Sequence, residues 1–234
     1  MDTLAYITTK WNLAPQRRLP IEIPNTNRET LARLFYLVEF QVGVEVGVET
    51  GLYSEVLCRE NPGVRLYCVD AWHAHRGYRD HVSQEKLDRF YVQTAERLAP
   101  YPRATLVRKY SLDAAKDFED GSLDFVYIDA NHNLQSVIAD IAAWLPKVRD
   151  GGIISGHDYA PYKMLHRDHQ DQAVFHLNQI HVVQAVHAWT DAYEVDPWFV
   201  LGSKSKDDGL LRDNHRSWFW VKAPLPTHRG VVRQ

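Results

Sequence analysis

Between residues 43 and 156, short apolar runs alternate with helix-patterned stretches, and nothing else in this 234-residue chain restricts its fold so tightly. Runs of β-type residues fall at 43–47, 65–70, 105–108, 123–129 and 152–156, with helical patterning between them at 52–60, 83–98, 112–118 and 134–145. Such alternation implies a parallel sheet with helices on both faces, because each parallel pair needs a crossover connection. Val126-Tyr127-Ile128 and Ile153-Ile154 are continuous apolar runs, the pattern of central strands. The pattern changes after a helix near 181–190, where two apolar stretches, 198–201 and 218–221, flank a polar segment rich in Lys, Asp and Gly. That predicts an antiparallel hairpin closing the sheet. Residues 26–40 carry helical spacing in Leu31, Leu34, Phe35 and Val38, with Asn27 as N-cap. Residues 1–27, with Pro15, Pro20 and Pro24, read as an irregular arm ahead of a single domain over 28–234.

Composition narrows the function classes. With 45% apolar and 24% charged residues, the chain suits one large α/β domain and leaves little room for a second. A net charge of −3 offers no basic face for duplex nucleic acid, so no nucleic-acid partner is expected. No apolar run is long enough to span a membrane. Residues 1–24 lack the charged-then-apolar pattern of a secretion signal, and Cys58 and Cys68 read as buried reduced thiols, so a cytoplasmic location is expected.

The chemistry is expected at the carboxyl ends of the strands, where open α/β sheets bind ligands. The first strand runs into Val44-Glu45-Val46-Gly47-Val48-Glu49-Thr50-Gly51, a strand-to-helix turn whose glycines let the backbone approach a ligand. Carboxylates at Glu45 and Glu49 would repel a phosphate but favour a cation, which points to S-adenosylmethionine, with its sulfonium and ammonium. Asp70 ends the next strand at the offset where an acid accepts from a ribose diol, a geometry that would equally serve NAD. Further strand ends bring Tyr110-Ser111, Asp129-Ala130-Asn131-His132 and Gly156-His157-Asp158-Tyr159 to the same rim.

Four ordered motifs, Glu45-Val46-Gly47-x-x-x-Gly51, Tyr67-Cys68-Val69-Asp70-Ala71-Trp72, Ser122-Leu123-Asp124-Phe125-Val126-Tyr127-Ile128-Asp129 and Gly151-Gly152-Ile153-Ile154-Ser155-Gly156-His157-Asp158-Tyr159, resemble the class I S-adenosylmethionine-dependent methyltransferases. The likeness is to the small-molecule O-methyltransferase-like branch whose fifth strand ends in Gly-His-Asp-Tyr. It implies a Rossmann-like α/β fold with a seven-stranded, mostly parallel sheet, an antiparallel last strand and helices on both faces. It also implies that Glu45, Gly47, Glu49 and Gly51 shape the methionine site and that Asp70 binds the ribose. Ala71 and Trp72 would lie against the adenosine, Ser111 and Leu112 near the adenine, and Asp129 at the cofactor's ammonium. Glu49 stands where many relatives have glycine, and Tyr53 replaces a small residue.

Asp129, His157 and Asp158 form a second constellation at two adjacent strand ends. Three readings are open for it: a Mg²⁺ or Mn²⁺ site, His157 as general base without metal, or a structural cluster. His132, at a helix start, reads as a solvated side chain or a substrate contact. Residues 159–180, rich in His, Asp and aromatics, read as a substrate lid. The reaction implied is O-methylation of a small-molecule acceptor of sugar or natural-product type. The rivals are an NAD-dependent oxidoreductase and a non-catalytic S-adenosylmethionine-binding scaffold. An arm of this length is free to cross to a second copy, which admits a homo-oligomer.

Overall fold

The computed structural model describes residues 1–14, 20–75, 83–160, 180–202 and 215–224. In chain order the elements are α1 (Thr3–Lys10), β1 (Ile21–Ile23), α2 (Arg28–Leu37), β2 (Val42–Val46), α3 (Leu52–Glu60), β3 (Arg65–Asp70), α4 (Gln84–Leu98) and β4 (Ala104–Arg108). There follow α5 (Ser111–Ala114) with a 3₁₀ turn, β5 (Leu123–Ile128), α6 (Leu134–Trp144), β6 (Val148–Tyr159), α7 (Val182–Ala192), β7 (Phe199–Leu201) and β8 (Arg216–Val221). The strands form one eight-stranded sheet in the order β1-β7-β8-β6-β5-β2-β3-β4. Every pairing is parallel except those of β8, which runs antiparallel to both β6 and β7. The expected closing hairpin is therefore present, with β8 inserted between β6 and β7.

Period-two alternation divides the apolar side chains between two layers. Phe125 and Tyr127 of β5 point to one face, with Phe35 of α2 and Leu57 of α3. Val126 and Ile128 point to the other, with Ile141 and Trp144 of α6 and Val186 of α7. Gly43 in β2 makes room for this packing, since a Cβ there would fall 2.0 Å from the Phe125 ring, which stacks on Phe35 at 4.0 Å. Asn27 caps α2 in a reciprocal capping box with Thr30. Cys58 and Cys68 are both buried free thiols, and no helix among the described residues is long and apolar enough to cross a membrane.

Two expectations need correction. The sheet has eight strands, not seven, and residues 1–27 are not irregular throughout. Asp2 caps α1 by accepting from the Ala5 N–H at 3.0 Å, and Ile7 is fully buried. Ile21-Glu22-Ile23 alternates in-out-in and adds an edge strand parallel to β7. That strand is fastened by an ion pair between Glu22 and the buried Arg216 of β8 at 2.7 Å. The described part of the arm thus packs on its own chain. Of the expected lid, 159–180, residues 161–179 lie outside the described residues.

Candidate active site

The turn after β2 is a backbone structure held in an unusual conformation. Gly47, Glu49 and Gly51 all have positive φ, at 88°, 53° and 75°. At Gly47 no side chain fits, because a Cβ would lie 2.1 Å from the Asp129 carbonyl oxygen. Glu49 occupies the left-handed region with an exposed side chain, and its carbonyl is pinned by donors from Trp72 Nε1 at 2.8 Å and Thr94 Oγ1 at 3.1 Å. Asp70 completes the brace. Its Oδ2 accepts from the Val48 and Glu49 amides, both at 3.0 Å, and its Oδ1 from the Trp72 amide at 2.8 Å. Burial raises the Asp70 pKa against those three backbone bonds. A carboxylate has about four acceptor positions, so Asp70 can brace the turn and still take one further donor.

Beside this turn lies a cavity of about 950 Å³. Of the residues singled out from sequence, Gly47, Glu49, Asp70, Ala71, Trp72, Ser111 and Leu112 line it. Glu45, Gly51 and Asp129 do not. Glu45 is buried beneath the turn, where its carboxyl accepts from the Ser54 hydroxyl. Burial pushes its pKa up to about 8, with the Ser54 bond and Arg28 opposing and Asp129 reinforcing. At neutral pH it is therefore largely uncharged, and the charge expected to attract a cation falls to Glu49 alone. Gly51 serves as the N-cap of α3, and its missing Cβ admits Thr94. The indole of Trp72 is buried and meets Tyr91 edge-on at 5.1 Å.

Among the wall residues that sequence reasoning missed is a buried acid. Asp140 on α6 is buried, lines the cavity and accepts from Ser111 Oγ at 2.5 Å, while Trp144 Nε1 donates to that Oγ at 2.9 Å. Burial raises the Asp140 pKa to about 6, with Ser111 and His132 opposing. The signal was present: Val137, Asp140, Ile141 and Trp144 follow i, i+3, i+4, i+7 spacing, which puts an acid on the apolar stripe.

A polar corner forms where β5 and β6 end side by side. His132 Nε2 stands 2.9 Å from Asp158 Oδ2 and 3.3 Å from Asp129 Oδ1, bridging the two carboxylates. His215, at the foot of β8, meets Asp158 Oδ1 through Nδ1 at 2.5 Å. His157 Nδ1 lies 3.6 Å from both Asp129 Oδ2 and Asp158 Oδ1, ion-pair range rather than hydrogen-bond range. Burial alone would lower the His132 pKa, but the bonds and charges of Asp129 and Asp158 carry it up to about 10. Burial likewise opposes ionisation of Asp158, yet His132, His157 and His215 hold its carboxyl well below the usual range. Asp158 also has a φ of 54°, a conformation costing a non-glycine residue roughly 1–3 kcal/mol.

The imidazole grouped most closely with the acids is thus His132, not the His157 expected for a metal set. Ligand atoms from Asp129, His132 and Asp158 all lie within 4.8 Å of one another. The reason is local: the Asn133 cap starts α6 immediately after His132, turning that side chain back over the strand end three residues after Asp129. The His132 carbonyl also accepts from the His181 amide at 2.8 Å, tying the corner to the entry of α7.

Residues 41–159 match the model of a methyltransferase domain family, just over half of the chain. Among solved structures of similar fold, an O-methyltransferase from Bacillus cereus in complex with S-adenosylhomocysteine is 20% identical, covers 83% of this chain and 80% of its own, and superposes with a TM-score of 0.55. TomG, an O-methyltransferase from Streptomyces achromogenes involved in tomaymycin synthesis and solved with S-adenosylmethionine, is 17% identical over 95% of this chain and 91% of its own, with a TM-score of 0.55. At such identities these likenesses concern the fold. A curated relative, the uncharacterised protein y4gI of Sinorhizobium fredii, is 24% identical over 121 residues, half of this chain but only 12% of that protein's length.

Proposed function

The chain belongs to the methyltransferase-domain family that its residues 41–159 match, and from that premise we propose that it transfers a methyl group from S-adenosylmethionine to a hydroxyl of a small molecule. The sugar or natural-product class of acceptor is part of the proposal. S-adenosylmethionine supplies an electrophilic methyl on a sulfonium. The supporting likenesses are structures solved with S-adenosylhomocysteine or S-adenosylmethionine. One observation carries the acceptor chemistry: two strand-end carboxylates, Asp129 and Asp158, are bridged by one imidazole beside the braced turn.

Each residue has a task in this reading. The Asp70 brace fixes the turn before ligand arrives, so little ordering is left for binding. Glu49 offers negative charge at the cavity wall, and Asp70 has one acceptor position for a ribose hydroxyl. Asp129, His132 and Asp158 suit a divalent cation, with one nitrogen among oxygens favouring Mn²⁺ or another transition ion over Mg²⁺. Such an ion would lower the pKa of a bound hydroxyl. Holding it requires His132 to surrender the proton that its two carboxylates retain, so metal binding should strengthen as pH rises. His132 holds its proton too firmly to serve as base near neutral pH, and in this reading His157, 3.6 Å from both Asp129 and Asp158, takes that role.

Calorimetric titration tests the reading. S-adenosylhomocysteine should bind, NAD should not compete, and Mn²⁺ should bind the wild type more tightly than an Asp129→Ala, Asp158→Ala double variant. Tight NAD binding with no response to S-adenosylhomocysteine would overturn it.

A further inference from the structure

The turn after β2 has most of its main-chain groups committed. The Gly47 amide donates to the Val69 carbonyl at 2.8 Å, the Val48 and Glu49 amides donate to Asp70, and the Gly51 amide closes on the Val48 carbonyl at 2.9 Å. On the other side of the peptide planes, the Glu49 carbonyl accepts from Trp72 and Thr94, and the Thr50 carbonyl accepts from Arg97 Nε at 3.0 Å. Both peptide planes flanking Glu49 are therefore held, and so is the plane after them. A non-glycine residue at a φ of 53° persists only where its surroundings over-determine it, which is the case here.

Two of these ties come from α4, and they are unequal. Thr94 has one hydroxyl hydrogen for two carbonyls, Phe90 at 2.8 Å and Glu49 at 3.1 Å. Arg97 uses separate N–H groups: Nε holds the Thr50 carbonyl, and Nη1 pairs with Glu55, in the first turn of α3, at 2.8 Å. Its stem lies beside Gly51, where a Cβ would stand 3.5 Å from Arg97 Cδ. One side chain thus joins α4, the turn and α3. Arg97 does not line the cavity, whereas Glu49 does. Any influence of Arg97 on a ligand there must pass through the turn. The torsions of Glu49 decide where its Cβ points, and so where its carboxylate stands.

We propose that Arg97 is a positioning residue for cofactor binding: by holding the Thr50 carbonyl it keeps Glu49 in its left-handed conformation, with the carboxylate at the cavity wall where a ligand's positive charge meets it. This rests on the S-adenosylmethionine reading above and deepens it.

Isothermal titration with two ligands tests the assignment. S-adenosylmethionine carries a sulfonium and an ammonium; 5′-methylthioadenosine keeps the nucleoside and a thioether but neither charge. Arg97→Met retains an unbranched stem and removes both donors. It should weaken S-adenosylmethionine about fivefold, the upper end for an exposed charge pair, and leave methylthioadenosine within about twofold. In a Glu49→Gln background, where no charge is left to aim, the same substitution should change S-adenosylmethionine affinity by less than about twofold. Arg97→Lys, which keeps a charge for Glu55 but has no Nε donor, should repeat the selective loss and serves as the second variant. Equal weakening of both ligands, no weakening of either, or an undiminished loss in the Glu49→Gln background would overturn the assignment and leave Arg97 as a tie between helices. A wild type that binds S-adenosylmethionine no more tightly than methylthioadenosine would overturn it as well, with the cofactor reading intact. Failure of the wild type to bind either ligand would overturn the cofactor reading itself, and the assignment with it.

Discussion

The turn after β2 and the polar corner beyond β5 and β6 touch at Gly47 and Asp129, yet they are built by opposite means. The turn is made of backbone: positive φ at Gly47, Glu49 and Gly51, with Asp70 accepting three main-chain N–H groups. The corner is made of side chains from β5, β6, the start of α6 and the foot of β8. A backbone-built wall tolerates almost any side chain but no added atom where chains cross. A side-chain corner tolerates movement but not the loss of a charge. The two regions should therefore fail differently under substitution.

Gly47→Ala should do the most damage. Its Cβ would meet the Asp129 carbonyl, part of the main chain and unable to swing aside, in a backbone conformation that already disfavours alanine. A loss of roughly 4 kcal/mol or more is expected, in the class of severe backbone clashes. Urea unfolding measures it, and a near-neutral result would mean that the turn and β5 are not so closely apposed.

His132→Ala should come next. It removes the imidazolium that bridges Asp129 and Asp158 and leaves His157, 3.6 Å from each, as the imidazole nearest to both, and breaking such a pair typically costs about 3–5 kcal/mol. The pH dependence gives the sign. Folded His132 keeps its proton up to about 10, against 6.5 for the free side chain. Its stabilisation is fully present below 6.5 and is lost as pH rises through 10. The difference between wild type and variant should accordingly be largest in mildly acidic buffer and fade in alkaline buffer. A difference that grows with pH would remove the imidazolium from the corner.

Asp70→Asn should have a smaller, more local effect. One of its three backbone donors loses a good acceptor, at about 1–3 kcal/mol. The asparagine keeps its one oxygen on Val48 and Glu49, so hydrogen exchange at the Trp72 amide of the ligand-free protein should quicken, which a residue serving the ribose alone would not cause. Unchanged exchange together with weakened S-adenosylhomocysteine binding would reverse the balance between brace and contact.

The same contrast explains what could be read from the sequence. The glycine turn, Asp70 and the alternation of strands with helices follow from local pattern, because a strand end and a positive-φ position are written in consecutive residues. The corner was only half visible. Asp129 and Asp158 could be named as strand ends, but His132 looked solvated because the acid that captures it arrives from β6. His215 reaches Asp158 only once β8 has entered the sheet beside β6. β1 escaped notice for a similar reason: three residues among prolines carry too weak a periodicity, and the strand owes its place to β7 and to Arg216. Asp140 is absent from the residues singled out by sequence, although its place in the apolar stripe of α6 marks it as buried.

In acidic buffer Glu45→Gln should have the smallest effect, and it bears most directly on the division between wall and corner. The unfolded chain releases the Glu45 proton near 4.5, whereas the folded protein keeps it until about 8. Between those values the native state binds the additional proton, so wild-type stability falls as pH rises across that interval. Glutamine has the same shape and no proton to lose. The variant should match the wild type within about 2–4 °C of melting temperature near pH 4.5, a change of roughly 1 kcal/mol at most, and gain on it as pH rises, the gap levelling off above about pH 8. Its affinity for S-adenosylhomocysteine should barely change, because Glu45 sits beneath the turn and not on the cavity wall. A marked loss of affinity with unchanged stability would return Glu45 to the cofactor's side of the turn, as an ionised group attracting its positive charge.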